Sequence, residues 1–416
     1  MADYINIYGQ DILAVASDPA NPTVGQIWYN TTSNTLKGGG VTTAGAWATG
    51  NNLGTARDQL AGAGIQTAAL GFGGVTYPPS IPQNITEEYD GSTWTAGGNL
   101  ATARWSLGGT GTQTAALGFG GAPPPAGVNN TEEYDGASWT AGGNLGTERA
   151  QIAGCGTQTT ALGFGGQAPV PLGGDTGATE EYDGAAWTTG GTMGTGRRNL
   201  GGCGIQTAAL SFGGSATPGD QNATEEYDGT SWTAGGNLNI ARQGVRGAGI
   251  QTAALAFGAG PTASTELYDG TSWTSNPTTL NTVRSSMANA GTQTAALAAG
   301  GYGTADSAAT EEYNGSTWTA GGSLNVVRQQ PSGAGTQTAA LAFTGLIPPI
   351  TGTTELYDGT SWTTSPTSLN TARYEIAGAG TQSAALAAGG YTTTQVTSTE
   401  EWTGPGAPLV ETITAS

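Results

Sequence analysis

The sequence predicts an all-β protein, an eight-bladed β-propeller, and three observations carry that reading. A unit of about 45 residues recurs from Arg57 to Arg373, a length that suits one four-stranded propeller blade. Each unit carries an Arg, a Gln nine residues later, and in seven copies a Tyr and a Trp five residues apart. Composition supplies the third: 73 Gly, 19 Pro and only 10% charged residues in 416 leave no room for long charged helices or a charge-driven disordered chain.

Each unit opens on an arginine (57, 104, 149, 197, 242, 284, 328 and 373). A Gly/Ala-rich first strand follows, because backbones crowd near a propeller axis and side chains there must be small. The second strand reads Thr67-Ala68-Ala69-Leu70-Gly71-Phe72 and ends on Gly73-Gly74, and the third reads Thr86-Glu87-Glu88-Tyr89-Asp90. Gly91-Ser92 then makes a two-residue loop with Gly first, the type II′ preference, which pairs Asp90 with Thr93 and Tyr89 with Trp94. Trp94 opens the fourth strand, and the Tyr–Trp cross-strand pair fills the gap to the next blade. The double glycine is reduced to Gly258-Ala259 and Thr344-Gly345 in two units, which requires negative φ at the substituted positions.

The eighth copy stops at Thr399-Glu400-Glu401-Trp402, without a following Trp. Ten residues separate Trp47 from Arg57, the spacing found from Trp139 to Arg149, so the segment around Trp47 reads as an outer strand lacking its own blade. It is predicted to complete the last blade and close a ring of eight.

An Arg opening each unit, a Gly-Gly ending the second strand and Tyr-Asp before a spaced Trp together resemble the kelch repeat, across residues 47–403. The resemblance implies a kelch-like propeller over 41–403, flanked by an N-terminal anchor arm, 1–40, and a C-terminal tail, 404–416. Galactose oxidase shares that fold but depends on a copper site with histidine and tyrosine ligands, and since this chain has no histidine that activity cannot be carried over.

Function is first narrowed by exclusion. With 11 basic and 30 acidic residues the formal charge is −19, which repels nucleic acid and anionic membranes. The absence of His removes the commonest general base and metal ligand, and Lys37 is the single lysine. No cofactor or metal is expected. The start Met1-Ala-Asp-Tyr has no basic segment or apolar core, so it is expected to be no secretory signal, and no apolar run approaches the ~20 residues that cross a bilayer. Paired carboxylates such as Glu87-Glu88 could act on a glycosidic bond. A catalytic pair occurs once, whereas the first Glu recurs in all eight units beside eight equivalent arginines, so a structural Arg contact is expected and the protein is expected not to be an enzyme. The Asp of Tyr-Asp-Gly is a turn residue, and Cys155 and Cys203 replace Ala at small core positions.

Variation in length is confined to the stretch between second and third strands, where Gln and Tyr (Trp402 in the last unit) lie 17 to 24 residues apart. In an antiparallel blade that loop and the link to the next blade leave from one face, so one face is tight and the other irregular. The longest loops are 75–85, 122–130, 167–178 and 215–223, offering Tyr77, Ile81, Val170 and Leu172 beside Asp175 and Asp220, a mixed surface suited to a sugar or protein. The alternative is that these loops merely tolerate insertions.

Outside the repeat, Gly25-Gln26-Ile27-Trp28-Tyr29-Asn30-Thr31-Thr32-Ser33-Asn34-Thr35-Leu36-Lys37 reads as a hairpin and resembles one found in tail-fibre and other virion proteins of bacteriophages. An ordinary hairpin packed on the propeller would read the same way. The resemblance implies a virion structural protein made in the host cytoplasm, whose arm docks onto other virion proteins or trimerises and whose loops contact a host surface glycan or protein. A cellular kelch-type interaction scaffold is the alternative.

Overall fold

A computed structural model of the chain describes residues 12–413 apart from 20–23, 25, 42–43, 123–127, 169–173, 218, 244, 259–261, 348, 375 and 406–407, with backbone only at 40–41, 246–248, 377–380 and 408–411. The described chain is all-β, and its strands form repeated four-stranded antiparallel sheets, an arrangement consistent with a propeller. The first unit consists of Ala61–Ile65, Ala68–Phe72, Thr86–Tyr89 and Trp94–Ala96, each strand pairing with the next. The register is kept from unit to unit: Ala69 stands opposite Tyr89 and Tyr89 opposite Trp94, as Ala116 does to Tyr134 and Tyr134 to Trp139. In the last unit Ala377–Gly380, Ala384–Ala388 and Thr399–Thr403 take their fourth strand from Ala46–Gly50, placing Trp47 opposite Trp402.

Local chemistry explains each turn. Gly91 sits at φ 90°, which glycine adopts without a Cβ penalty, and the Asp90 carboxylate accepts hydrogen bonds from the Thr93 and Ser92 amides at 2.7 and 2.8 Å. Those bonds, led by the one from Thr93, hold the Asp90 carboxyl down at about 2. Asn314 accepts the equivalent bonds from Ser316 and Thr317, so this exception keeps the turn.

The units are interlocked by motif residues. Gln113 Nε2 donates to Ala69 O and Tyr89 O of the preceding unit, and Trp139 Nε1 donates to Thr86 Oγ1 at 2.8 Å. The tyrosine hydroxyl of one unit donates to the second glutamate of the unit before, as Tyr134 does to Glu88. Where Leu267 replaces that glutamate, Asn276 Nδ2 donates to the Tyr313 hydroxyl instead; where Leu356 replaces it, the following unit carries Trp402, which has no hydroxyl. The same kinds of bond join first and last units: Gln66 Nε2 donates to Ala385 O and Trp402 O, both at 3.1 Å, and Trp94 Nε1 to Thr399 Oγ1 at 2.9 Å. The apolar clusters accordingly span neighbouring units, as where Leu70 and Phe72 pack with Ala116 and Tyr134.

Two expectations are corrected. Thr344 lies at φ 61°, so the lost glycine is not excused by a negative φ; a buried β-branched residue is held in the left-handed region. Residue 259 lies outside the described residues. The arm and tail are also not separate: Leu13–Val15, Ile27–Asn30, Thr35–Val41 and Pro408–Thr412 make one sheet. In its hairpin the Asn30 side chain accepts bonds from the Thr32 and Ser33 amides, and Asp18 accepts from Trp28 Nε1 and Asn30 Nδ2.

Candidate binding face

Each variable loop leaves its sheet through a clamp built by the unit's arginine. All eight arginines are buried, and each pairs with the first glutamate of its own third strand, from Arg57–Glu87 to Arg373–Glu400. In five units, those of Arg104, Arg149, Arg242, Arg328 and Arg373, the guanidinium also reaches both stems of the loop. Arg104 Nη1 donates to Gly120 O at 3.0 Å and Asn130 O at 2.6 Å, Arg242 to Gly258 O and Ser264 O, and Arg328 to Thr344 O and Thr353 O. Five parallel donors on a rigid plane suit that task. Burial pulls the Arg104 and Arg149 guanidiniums down to about 10, which leaves them charged at neutral pH. In those five units the loop stems are therefore fixed whatever the loop contains.

The glutamate completes the clamp by turning back to the incoming link. Glu132 Oε2 accepts from the Ala101 amide at 2.6 Å and Glu266 Oε2 from the Asn239 amide at 2.6 Å. The first carboxylate of each Glu-Glu pair is thus engaged inside the framework by Arg, and the second, in every pair but Glu400-Glu401, by the next tyrosine.

Just beyond the clamp the residue after each arginine changes from unit to unit: Asp58, Trp105, Ala150, Arg198, Gln243, Ser285, Gln329 and Tyr374. Seven of these bridge to the first loop residue after the Gly-Gly position, as Asp58 to Val75, Trp105 to Ala122 and Tyr374 to Tyr391. Six of the residues that follow, including Gln59, Ser106 and Asn199, hold φ near 50° and are all polar. Ser106 N donates to Gln59 O at 3.1 Å and Gln151 N to Ser106 O at 3.2 Å, so these residues link into a row across units. The sequence reading missed this row, although seven different residue types beside an invariant arginine were a visible signal.

Of the expected site residues, Tyr77 and Ile81 are exposed on a short ribbon, Val75–Thr76 with Ile81–Pro82, and Tyr77 N donates to Gln395 Oε1 of the last unit at 3.1 Å. Asp220 is exposed on the ribbon Ser215–Ala216 with Gly219–Asp220. Asp175 is not free to meet a ligand: its carboxylate pairs with Arg198 and accepts from Thr217 N at 3.1 Å, bracing two consecutive loops. Val170 and Leu172 lie outside the described residues. The structure thus brings Asp175 to the fourth unit's loop and places Tyr77 beside the eighth.

A concavity on this face lies away from the four long loops. A pocket of about 730 Å³ is lined by Asn281, Val283, Ser285, Tyr302, Thr304 and Asp306 of the sixth unit. Tyr302 and Val283 are exposed, and Asp306 Oδ1 is buried without a partner. An acceptor, hydroxyls and an aromatic ring around an open hollow can hold a polyhydroxylated or peptide-like group. Cys155 and Cys203 are free and partly buried, and burial pushes both thiols up to about 11.

Neither models of known protein families nor curated proteins give a match to this chain.

Proposed function

We propose that the chain is an eight-bladed kelch-like propeller serving, without catalysis, as a structural protein of a phage virion, its arm docked on the particle and its irregular face meeting a host surface glycan or protein. The observation that carries this reading is the contrast within one repeat. Arg, Glu, Gln, Thr, Tyr and Trp recur with the same bonds in unit after unit, while loop length and the residue after each arginine vary on a single face. A rigid frame that confines diversity to one face suits recognition rather than chemistry. Engagement of the first glutamates by arginine, and of five of the six second glutamates by tyrosine, supports a structural rather than a catalytic role for the Glu-Glu pairs. Eight units follow from eight Arg–Glu clamps, and ring closure is supported by the bonds of Gln66 and Trp94 to the last unit. The virion setting rests on the resemblance of residues 25–37.

The test is to shorten loops 75–85, 122–130, 167–178 and 215–223 to the six-residue length of 259–264, and separately to change Tyr302→Ala with Asp306→Ala. Adsorption of the particle to its host, or binding of the protein to host surface glycans, should fall in at least one set with the fold intact. Unchanged adsorption in both would reject the irregular face. Capsid, portal and tail genes beside this gene would separate a virion protein from a cellular scaffold.

A further inference from the structure

Six of the eight junctions between neighbouring units are filled by a phenylalanine ending the second strand. Its ring lies on the tryptophan of the next unit, as Phe72 does on Trp139 with centroids 4.8 Å apart and Phe119 on Trp187 at 5.1 Å. It also lies against bare glycines of that unit: a Cβ on Gly109 or Gly118 would meet the Phe72 ring at 3.0 Å, and one on Gly154 would meet Phe119 at 2.8 Å. At these two junctions the slot for the ring is thus bounded by one indole and two glycine faces.

At the junction between last and first units the slot is kept and the ring is missing. Ala388 stands in the phenylalanine position, and Trp94, Gly62 and Gly71 stand where Trp139, Gly109 and Gly118 do. Among the described residues, the nearest atoms that a Cβ on Gly62 or Gly71 would meet all belong to the first unit itself. The first strands of other neighbouring units lie alongside one another, an approach that, among the described residues, Ala61–Ile65 and Ala377–Gly380 do not make. What remains is an apolar pocket of about 290 Å³ lined by Leu60, Gly62, Gly71, Trp94, Leu386 and Ala388. The second alanine in the series behaves differently. Ala299 is fully buried and packs in one cluster with Ala342 and Trp362.

We propose that this junction binds a small uncharged monocyclic aromatic molecule, its ring seated against Trp94 where the other junctions seat their own phenylalanine. Among the described residues no charged side chain lines the pocket, so the ligand carries no charge there. Apolar cavities of this kind take up benzene-sized guests, and an aromatic pair at that separation adds to the burial.

Toluene is the probe, added to the full-length protein and followed by thermal shift and by nuclear Overhauser transfer to the Trp94 indole. Toluene should bind saturably and raise Tm. Ala388→Phe should raise Tm by itself and weaken toluene at least tenfold, whereas Ala299→Phe should leave toluene binding unchanged. If Ala388→Phe does not fold, Gly71→Ala, which places a methyl in the slot, takes its place with the same expected loss. Absence of saturable binding to the unaltered protein, or binding that survives the slot-filling variant, would overturn the proposal.

Discussion

Trp47 stands directly across from Trp402 on antiparallel strands from opposite ends of the repeat, their rings 5.6 Å apart and inclined at 49°. The Trp47 indole also touches Phe343 at 5.1 Å and donates from Nε1 to Thr354 Oγ1 at 2.7 Å, so one side chain holds the last unit together and fastens it to the seventh. Trp47→Ala is expected to cost about 3–5 kcal/mol, the range for deleting a buried aromatic. Urea denaturation with limited proteolysis checks this, and cleavage should appear first within 373–403. An unchanged midpoint would show the N-terminal strand to be dispensable.

Arg149 tests the clamp. Its guanidinium donates to Gly163 O, Ala178 O and Glu180, and Gly163 and Glu180 are buried with it. Arg149→Ala leaves the Glu180 charge buried and unpaired and is expected to cost about 3–5 kcal/mol. Arg149→Lys should recover little, since one ammonium cannot span both loop stems and the carboxylate. Arg149→Met with Glu180→Gln should cost less than Arg149→Ala alone. A melting temperature for Arg149→Ala equal to that of the unaltered protein would rule the clamp out.

Much of this architecture was legible because a repeat shows each residue eight times. The Tyr89–Trp94 register and the pairing of Trp47 with Trp402 follow from spacing alone, since both are set by period and turn length. Arginine pairing with the first glutamate was readable from co-occurrence. The roles of Gln66 and Thr399 were not, because their partners sit in a neighbouring unit and no local pattern marks an inter-sheet bond. For the candidate site the sequence did not reveal that Asp175 is engaged, because its partner Arg198 comes from a different unit's link. The hollow beside Tyr302 escaped notice because loop length was the guide, and a short loop made it.

Thr344 carries a cost that its neighbours avoid. It replaces the first glycine of the Gly-Gly position, keeps φ at 61°, and buries an Oγ1 without a partner. A left-handed conformation costs an L-residue roughly 1–2 kcal/mol, and an orphaned hydroxyl adds to it. Thr344→Gly should therefore stabilise the protein by about 1 kcal/mol after the greater chain entropy of glycine is subtracted. A chemical denaturation midpoint that falls instead would mean that the threonine methyl group contributes more packing than its conformation costs.

Glu401 offers a pH-dependent test of the junction between last and first units. Elsewhere the second glutamate of one unit accepts the tyrosine hydroxyl of the next, as Glu88 does from Tyr134, and by that rule Glu401 belongs with Tyr89. Here the bond is not made: Tyr89 Oη and Glu401 Oε1 are both buried without a partner. Desolvation holds the Glu401 carboxyl above its ordinary 4.5. A folded-state value raised above the unfolded one means that below the unfolded value both states bind the proton and nothing is lost. As pH rises past it, the unfolded chain ionises more readily and stability falls until the folded-state value is passed. Glu401→Gln removes that charge while keeping shape and hydrogen-bonding capacity. It should raise the urea midpoint at pH 7 and leave it unchanged at pH 4, so the gap between variant and unaltered protein should open with rising pH. A gap that stays constant, or that narrows with rising pH, would show that Glu401 is held as a stable carboxylate and that the junction is satisfied by other groups.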